Sequence, residues 1–429
     1  MKVFKATHAW MGVLVEKKNY GNSHSLEIFI LVFLGSLSYT LSTNLGNTSL
    51  RIAYSMLMYG SLLMMLKVYF SHENRQKLKY DNIYNYYFIL LVLFAVLNAI
   101  RDFSNPGFSL VTLINNPRAL ACLIPILGLT IGYNTSNIKP VEKAIYVLNI
   151  TFCTYVGYVI FKEPSAPKIF TVGILPFAVF NLTQGRYKIL TLFLFAIAAW
   201  HSVSIDYRAL LLRLIFFSAF FISLNLFRKS NLLKFISIAI AFVGVYIFLT
   251  DLPGFLESFT SETSLNSSLS SDTRTFLYTE VFEDLSPLQQ IIGKGFLGTY
   301  FSQVFFGFQS MAEYADADSF NRFSVEVGVL ELILKGGYIF LALYMLPIIY
   351  VTWKGLCITS SSYKLEYNIY IYLLTEIVIF FIENSPWYHI HFFLLFFFTG
   401  YVYNQQKIRE RMSKTSKPVS IRKTFNPNL

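Results

Sequence analysis

Charged side chains are scarce along this chain. They make up 14% of its 429 residues, whereas a soluble protein has about a quarter. Hydrophobic residues account for 55% and aromatic residues for 18%. The shortage of charge excludes an ordinary water-soluble globular domain and predicts an integral membrane protein, whose main solvent is lipid.

Cysteines are also few. Cys122, Cys153 and Cys357 are odd in number and far apart, so they match neither a metal-ligand spacing nor a disulfide framework, and no metal or cofactor is predicted. The first two dozen residues are largely polar and basic, and no small-residue cleavage site follows the first apolar run. That run is therefore expected to remain as a membrane anchor.

Long apolar runs are what the sequence does have. Runs of about 16 to 22 residues, enough for a short or tilted helix to cross the hydrocarbon, occur at twelve places. They begin near Leu26, Ile52, Tyr86, Leu120, Ala144, Ile169, Ile189, Ala209, Phe235, Gly337, Ile369 and His389. Only "TQGRYK" separates the sixth run from the seventh, and one broken helix there would move every later loop to the other side. The sequence thus predicts an all-α membrane protein of about twelve transmembrane helices.

Lysine and arginine collect in alternate loops and in the tail that follows Tyr403. The positive-inside rule places those loops and both termini in the cytoplasm. One segment, Asp251 to Arg322, has ten acidic residues against three basic ones. The net charge of +11 therefore belongs to the cytoplasmic side, and no nucleic-acid partner is needed to explain it.

These patterns divide the chain into four parts. Residues 1–250 hold spans one to nine, and residues 251–322 form one large periplasmic loop with short helices. Residues 323–404 hold a periplasmic helix that leads into span ten and then spans ten to twelve. Residues 405–429 form a basic cytoplasmic tail.

The large loop contains one clear helical signal at residues 270–287. Ser271 or Asp272 can cap a helix that Ser286 and Pro287 end. Three apolar residues recur in it at four-residue spacing: Leu277, Val281 and Leu285. This stripe predicts a short helix lying on the membrane surface, with Arg274 in its first turn.

Two arginines begin the eighth run, "SIDYRALLLRLIFF". Arg208 lies at its outer mouth, where it can snorkel to the interface and pair with Asp206. Arg213 lies about 7.5 Å deeper at 1.5 Å per residue, so it needs a buried anion or a water-filled cavity. Glu376, near the middle of the eleventh run, is the candidate intramembrane partner, and such a pair could be structural or functional.

The segment before the tenth span carries a further acid, Glu326. Glu331 and Lys335 are a structural i,i+4 pair in the favoured order, but Glu326 has no such local partner. It is the candidate general base, with hydration of a helix end as the alternative. Nearby, "GKGFLG" matches G-x-G-x-x-G, but the loop has no room for a dinucleotide fold, so its glycines predict a tight turn.

Histidines near the eleventh-to-twelfth turn form no metal pair. His389 and His391 are two residues apart and no matching ligands are apparent, so they predict an interfacial aromatic and histidine belt together with Trp387.

The order of these motifs resembles the O-antigen polymerase and O-antigen ligase superfamily. Twelve spans with both ends inside, and one large outer loop between the ninth and tenth, are typical of that family. Its arginine-bearing helix, glycine-rich stretch after a proline and polar motif before the next span are matched in order by "SDTRTFLY", "SPLQQIIGKGFLG" and "VEVGVLELILKGG". Arg208 in "SIDYRALL" matches the family's earlier arginine.

The resemblance implies a metal-independent, cofactor-free glycosyltransferase of the bacterial inner membrane. Its substrates would be undecaprenyl pyrophosphate-linked oligosaccharides, one of which donates its glycan to a sugar hydroxyl of another at the periplasmic face. Arg208 and Arg274, with Arg213 behind them, would bind the pyrophosphate, and Glu326 would accept the hydroxyl proton. Besides membrane lipid, a chain-length regulator protein is left open as a partner.

Two alternatives stay open. Ligases and many polymerases have a histidine, often followed by asparagine, where this chain has Glu326, and the carboxylate favours a polymerase over a ligase of the same superfamily. Twelve spans with both ends inside also describe polysaccharide flippases and other transporters. Those proteins usually have short loops and related halves, which the long asymmetric loop does not match, although Glu376 would suit a proton-coupled transporter.

Overall fold

A computed structural model describes residues 24–42, 48–71, 81–103, 122–162, 171–182, 188–204, 208–257, 275–302, 321–357, 364–383 and 389–415. These residues are mostly helical. The helices of the first half are α1 Ser25–Ser42, α2 Thr48–Tyr69, α3 Asn82–Asp102, α4 Leu123–Tyr133, α5 Ile138–Lys162, α6 Ile174–Asn181 and α7 Lys188–Ser204. Those of the second half are α8 Arg208–Leu226, α9 Asn231–Glu257, α10 Thr275–Asp284, α11 Pro287–Ile292, α12 Gly328–Leu356, α13 Lys364–Phe380 and α14 Ile390–Thr415.

The helices agree with a membrane protein. Three stretches in the described residues are long and apolar enough to cross a bilayer, namely Asn82–Asp102, Ala209–Leu226 and Gly328–Leu356. Each of the twelve predicted runs overlaps a helix, and the sixth and seventh runs form two helices, α6 and α7. Several of these helices are shorter than a span, as α4 and α6 are, so the count of twelve stays a prediction.

The last two helices form the centre of the bundle. Every residue of α13 from Tyr367 to Phe380 is buried, and so are the phenylalanines and leucines of α14 from Phe392 to Phe398. Helices α4 and α12 pack against α14, and α6, α8, α9 and α12 pack against α13. The outer helices α3 and α7 instead expose leucine and isoleucine, as expected where lipid surrounds the protein.

Helix α4 lies very close to α14 because glycines line the contact. Added Cβ atoms would collide with Phe396 at Gly128 and with the Phe397 carbonyl at Gly132. Across the interface, Gly400 lies against the backbone of Leu129 in the same way. Gly128 and Gly132 are four residues apart, the small-residue spacing that lets membrane helices approach closely.

Two helices continue beyond the predicted part boundaries. Helix α9 runs through Asp251 to Glu257, into the predicted loop. Helix α14 runs to Thr415, into the predicted tail, because side chains beyond residue 404 hold it to the bundle. Lys407 forms an ion pair with Asp81, and Gln406 donates to the carbonyl of Val351 over 2.9 Å.

The described part of the large loop is a small folded unit. It contains α10, α11 and an antiparallel pair of short strands, β1 Tyr300–Phe301 and β2 Asn321–Arg322, in which Tyr300 pairs with Arg322. Helix α10 confirms the helix predicted near residues 270–287, although its expected cap residues lie outside the described ranges. Its apolar stripe, Leu277, Val281 and Leu285, is buried in the protein core. The stripe therefore packs against protein, and the prediction that it lies on the membrane surface is wrong.

Candidate functional site at the loop end of the bundle

The folded loop covers one end of the helix bundle, which we call the loop end. The Tyr278 hydroxyl of α10 donates to the carbonyl of Phe381, just after α13, over 2.6 Å. The N–H of Gly328 donates to the Glu383 carbonyl over 3.2 Å. Helix α3 also ends at the loop end, where its Arg101 side chain donates to the Gly293 carbonyl over 2.9 Å. The charge pattern of the sequence predicts that this end is periplasmic.

Helix α12 is broken near the loop end. Gly337 has φ 66° and ψ −169° inside the helix, a left-handed conformation that glycine adopts without strain. The carbonyls of Leu334 and Lys335, which end the first half of the helix, accept the N–H groups of Lys294 (2.8 Å) and Gly295 (3.1 Å). The "GKGFLG" segment thus forms the predicted tight turn, and it fills the break in α12.

The last two residues of α3 hold this turn. The Asp102 carboxylate accepts the N–H groups of Phe296 and Leu297, each over 3.0 Å. A Cβ on Gly295, which has φ 95°, would collide with that carboxylate. The motifs in the sequence did not single out Arg101 and Asp102. The signal that could have found them is an arginine on the side of the membrane where basic residues are rare.

Glu326 lies between β2 and α12, and it has a local partner. Its Oε1 is 2.6 Å from Nη2 of Arg322, and the glutamate side chain is 49% exposed. The expectation that Glu326 lacks a local partner is therefore wrong. Arg322 and Glu326 have the i,i+4 spacing of helical pairs, but residues 323–327 are not helical, so the pair forms in the segment between β2 and α12.

Tyr300 completes this group from the adjacent strand. Arg322 Nη1 donates to the Tyr300 hydroxyl over 3.3 Å. Burial raises the pKa of Tyr300 to about 12, so the phenol stays neutral at physiological pH. Burial opposes the charge on Arg322, but the hydrogen bond and charge of Glu326 outweigh it and raise the pKa of this guanidinium.

Glu331 and Lys335 contact the segment that carries Glu326. Glu331 Oε2 accepts the Val325 N–H over 2.8 Å. Lys335 Nζ donates to the carbonyls of Phe323 (2.7 Å) and Gly298 (2.6 Å) and lies 3.9 Å from the centre of the Phe323 ring. Both side chains are buried. These contacts reach residues outside α12, whereas the sequence predicts only a local i,i+4 pair.

A second polar group lies inside the bundle near the same end. Arg213 Nε is 3.6 Å from Oε1 of Glu376, and His391 Nε2 is 3.0 Å from Oε2 of the same carboxylate. The backbone N–H of His391 donates to Nδ1 of the His389 ring over 3.0 Å. The structure therefore brings Arg213 to its candidate partner and adds His391.

Both histidines are buried, so the interfacial belt predicted for them is not what the structure shows. The available signal was their position at the start of an otherwise apolar run, where a polar ring needs a partner. Trp387 lies outside the described residues.

The remaining predicted site residues are only partly described. Arg208 is the first residue of α8, five positions before Arg213, and its side chain is outside the described part. Arg274 lies outside the described residues altogether. Within the described ranges, no three histidine, cysteine, aspartate or glutamate side chains are grouped to hold a metal ion.

Comparison with known proteins adds no relative. No protein-family model, no curated protein and no solved structure matches the chain.

Proposed function

We propose that the chain is a surface-polysaccharide polymerase of a bacterial inner membrane. It transfers a glycan from undecaprenyl pyrophosphate to a sugar hydroxyl of another lipid-linked repeat unit at the loop end. The observation that carries the proposal is Glu326, a half-exposed carboxylate on a segment whose neighbouring backbone groups are tied to buried side chains. The order of the loop motifs supports it.

The proposed reaction needs one base and one anion-binding group. The acceptor hydroxyl oxygen bonds to the anomeric carbon while the bond from that carbon to the pyrophosphate oxygen breaks. The pyrophosphate leaves with the electron pair, and the Glu326 carboxylate takes the hydroxyl proton. Arg322 contacts one oxygen of the Glu326 carboxylate. The Glu326 side chain remains exposed enough for a sugar to approach.

Arginines in the proposal stabilise the leaving pyrophosphate. Arg208 at the start of α8 and Arg274 just before α10 bind it, since guanidinium groups bind phosphate oxygens in pairs. Arg213 lies behind them. Its ion pair with Glu376 holds this guanidinium in the bundle, five residues beyond Arg208 along α8.

One observation favours a second candidate, transport of the lipid-linked unit across the membrane. Arg213, Glu376 and His391 meet between three helices, and ionisable groups inside a bundle mark substrate or proton pathways in transporters. In this alternative the buried group is the working site, and Glu326 is dispensable.

One reconstitution separates the candidates. Purified protein in liposomes is given undecaprenyl pyrophosphate-linked repeat units, and products are resolved by gel and mass for wild type, Arg274→Ala, Glu326→Gln and Glu283→Gln. Glu283 is an exposed acid on α10 and serves as the matched control.

The proposal predicts a ladder of lengthened lipid-linked glycan in wild type and Glu283→Gln that is lost in the other two variants. With a lipid A-core acceptor added to the liposomes, transfer of whole glycan to that acceptor alone would indicate a ligase. Movement of the unit between leaflets without any lengthening would overturn the transferase and favour transport.

A further inference from the structure

The segment that carries Glu326, residues 322–328, joins β2 to α12 and is firmly held. Outside helices and sheet ladders, backbone polar groups usually bond to water and the chain moves. Here the Val325 N–H bonds to the buried carboxylate of Glu331, and the Phe323 carbonyl bonds to the buried ammonium of Lys335. Two contacts therefore fix the backbone on the amino-terminal side of Glu326.

The carboxyl-terminal side of the segment is also fixed. The Gly328 N–H bonds to the carbonyl of Glu383, which follows α13. Glu326 thus lies between held positions, with its own side chain half exposed. Such an arrangement fixes where a carboxylate points while leaving it accessible.

Lys335 connects this segment to the break in α12. The same Nζ that contacts Phe323 donates to the Gly298 carbonyl, at the end of the turn that fills the break. It also interacts electrostatically with Asp102, which holds the other part of that turn. A buried ammonium is costly unless its hydrogen bonds are made, and these two bonds end on the backbone that carries Glu326 and on the backbone of the turn.

We infer that Glu331 and Lys335 are positioning residues that hold the Glu326 carboxylate at the acceptor hydroxyl. The effect on transfer rests on the proposed function, whereas the holding of the segment is a separate property that can be measured without substrate. A displacement of about 1 Å is enough to slow a reaction about 100-fold. The arginines proposed to bind the pyrophosphate belong to other segments of the sequence, so loss of positioning should lower kcat and leave KM nearly unchanged.

The test uses three variants of the full-length protein in detergent or liposomes. Glu331→Leu removes the acceptor of the Val325 N–H, and Lys335→Met removes the ammonium that donates to the Phe323 and Gly298 carbonyls while keeping a similar side-chain length. Glu331→Gln retains an acceptor oxygen and should restore the contact. Hydrogen–deuterium exchange is followed in residues 322–328, with α10 as the internal reference, and kcat and KM are measured with lipid-linked repeat units.

The inference predicts at least about tenfold faster exchange in residues 322–328 for Glu331→Leu and Lys335→Met, with α10 unchanged. It predicts about a 10- to 100-fold lower kcat in the same two variants, and near wild-type behaviour for Glu331→Gln. If Glu331→Leu does not fold, Lys335→Met carries the same test.

Each arm can overturn a different statement. Unchanged exchange in residues 322–328 overturns the holding, whatever the protein does. Faster exchange with an unchanged kcat overturns the positioning role while the polymerase stands. No glycan lengthening by wild type overturns the proposed function, and the exchange result remains valid by itself.

Discussion

Glu376 is an acid without any exposure to solvent, and two side chains from neighbouring helices meet it. The cost of a lone charge in hydrocarbon is what made Arg213 and Glu376 predictable as partners from sequence. His391 was not predictable, because its contact with Glu376 depends on how the chain turns between α13 and α14. At this scale, sequence finds the residues that need a partner, and only packing decides which residues supply it.

A residue-scale prediction follows from this group. Arg213→Met leaves the buried Glu376 without its guanidinium partner, so the protein should lose about 3–5 kcal/mol of stability. The double variant Arg213→Met/Glu376→Leu removes both charges and should recover most of the loss. Thermal unfolding in detergent measures the stability of the single and of the double variant. Equal destabilisation by the single and double variants would show that the ion pair is not the cause.

Helix α12 shows what sequence patterns reveal about an element and what they miss. Its apolar length predicted a span, and "GKGFLG" predicted a tight turn. The insertion of that turn into a break at Gly337 was not predictable, because it depends on hydrogen bonds between segments about forty residues apart. Only the backbone of α12, with its left-handed glycine, shows where the loop can dock.

The turn itself gives an element-scale prediction. Gly295→Ala places a Cβ against Asp102 at a positive φ, so it should destabilise the docked turn by more than about 1 kcal/mol. Limited proteolysis and hydrogen exchange of residues 293–298 report the loss. Gly157→Ala is the control, since a Cβ there meets nothing within 4 Å and alanine favours the helix. Equal effects of the two substitutions would contradict the docking.

The close contact between α4 and α14 gives a second prediction at the scale of the element. Gly132→Ala drives a Cβ into the backbone of Phe397, so the helices must separate and the packing of the bundle centre weakens. We expect a loss of about 1–3 kcal/mol, seen as a lower midpoint of thermal unfolding than for Gly157→Ala. An unchanged midpoint would mean that the two helices are less close than the structure shows.

At the scale of the whole molecule, composition correctly indicates a helical membrane protein. Composition does not fix the number of spans. Short apolar helices such as α6, with eight residues, can lie within a bundle without crossing the bilayer. The side on which the loop end lies was predicted from the distribution of lysine and arginine, and that prediction can be tested directly.

Cysteine labelling tests this orientation. Cys357 is exposed at the end of α12 opposite to the loop end, so a membrane-impermeant maleimide should label it only after cells are permeabilised. In a Cys357→Ser background, Glu283→Cys in the loop should be labelled in spheroplasts without permeabilisation. The reverse result for the two positions would invert the topology and place the candidate base in the cytoplasm.

The glycine contact between α4 and α14 also bears on how the protein is made. Synthesis produces α4 long before α14, so the face formed by Gly128 and Gly132 has no final partner while most of the other helices are inserted. Helix α13 also waits for α14, but only while one further helix is made. Arrival of α14 at the translocon therefore completes the bundle, and a ribosome that stalls within it leaves a chain whose centre is open to membrane proteases.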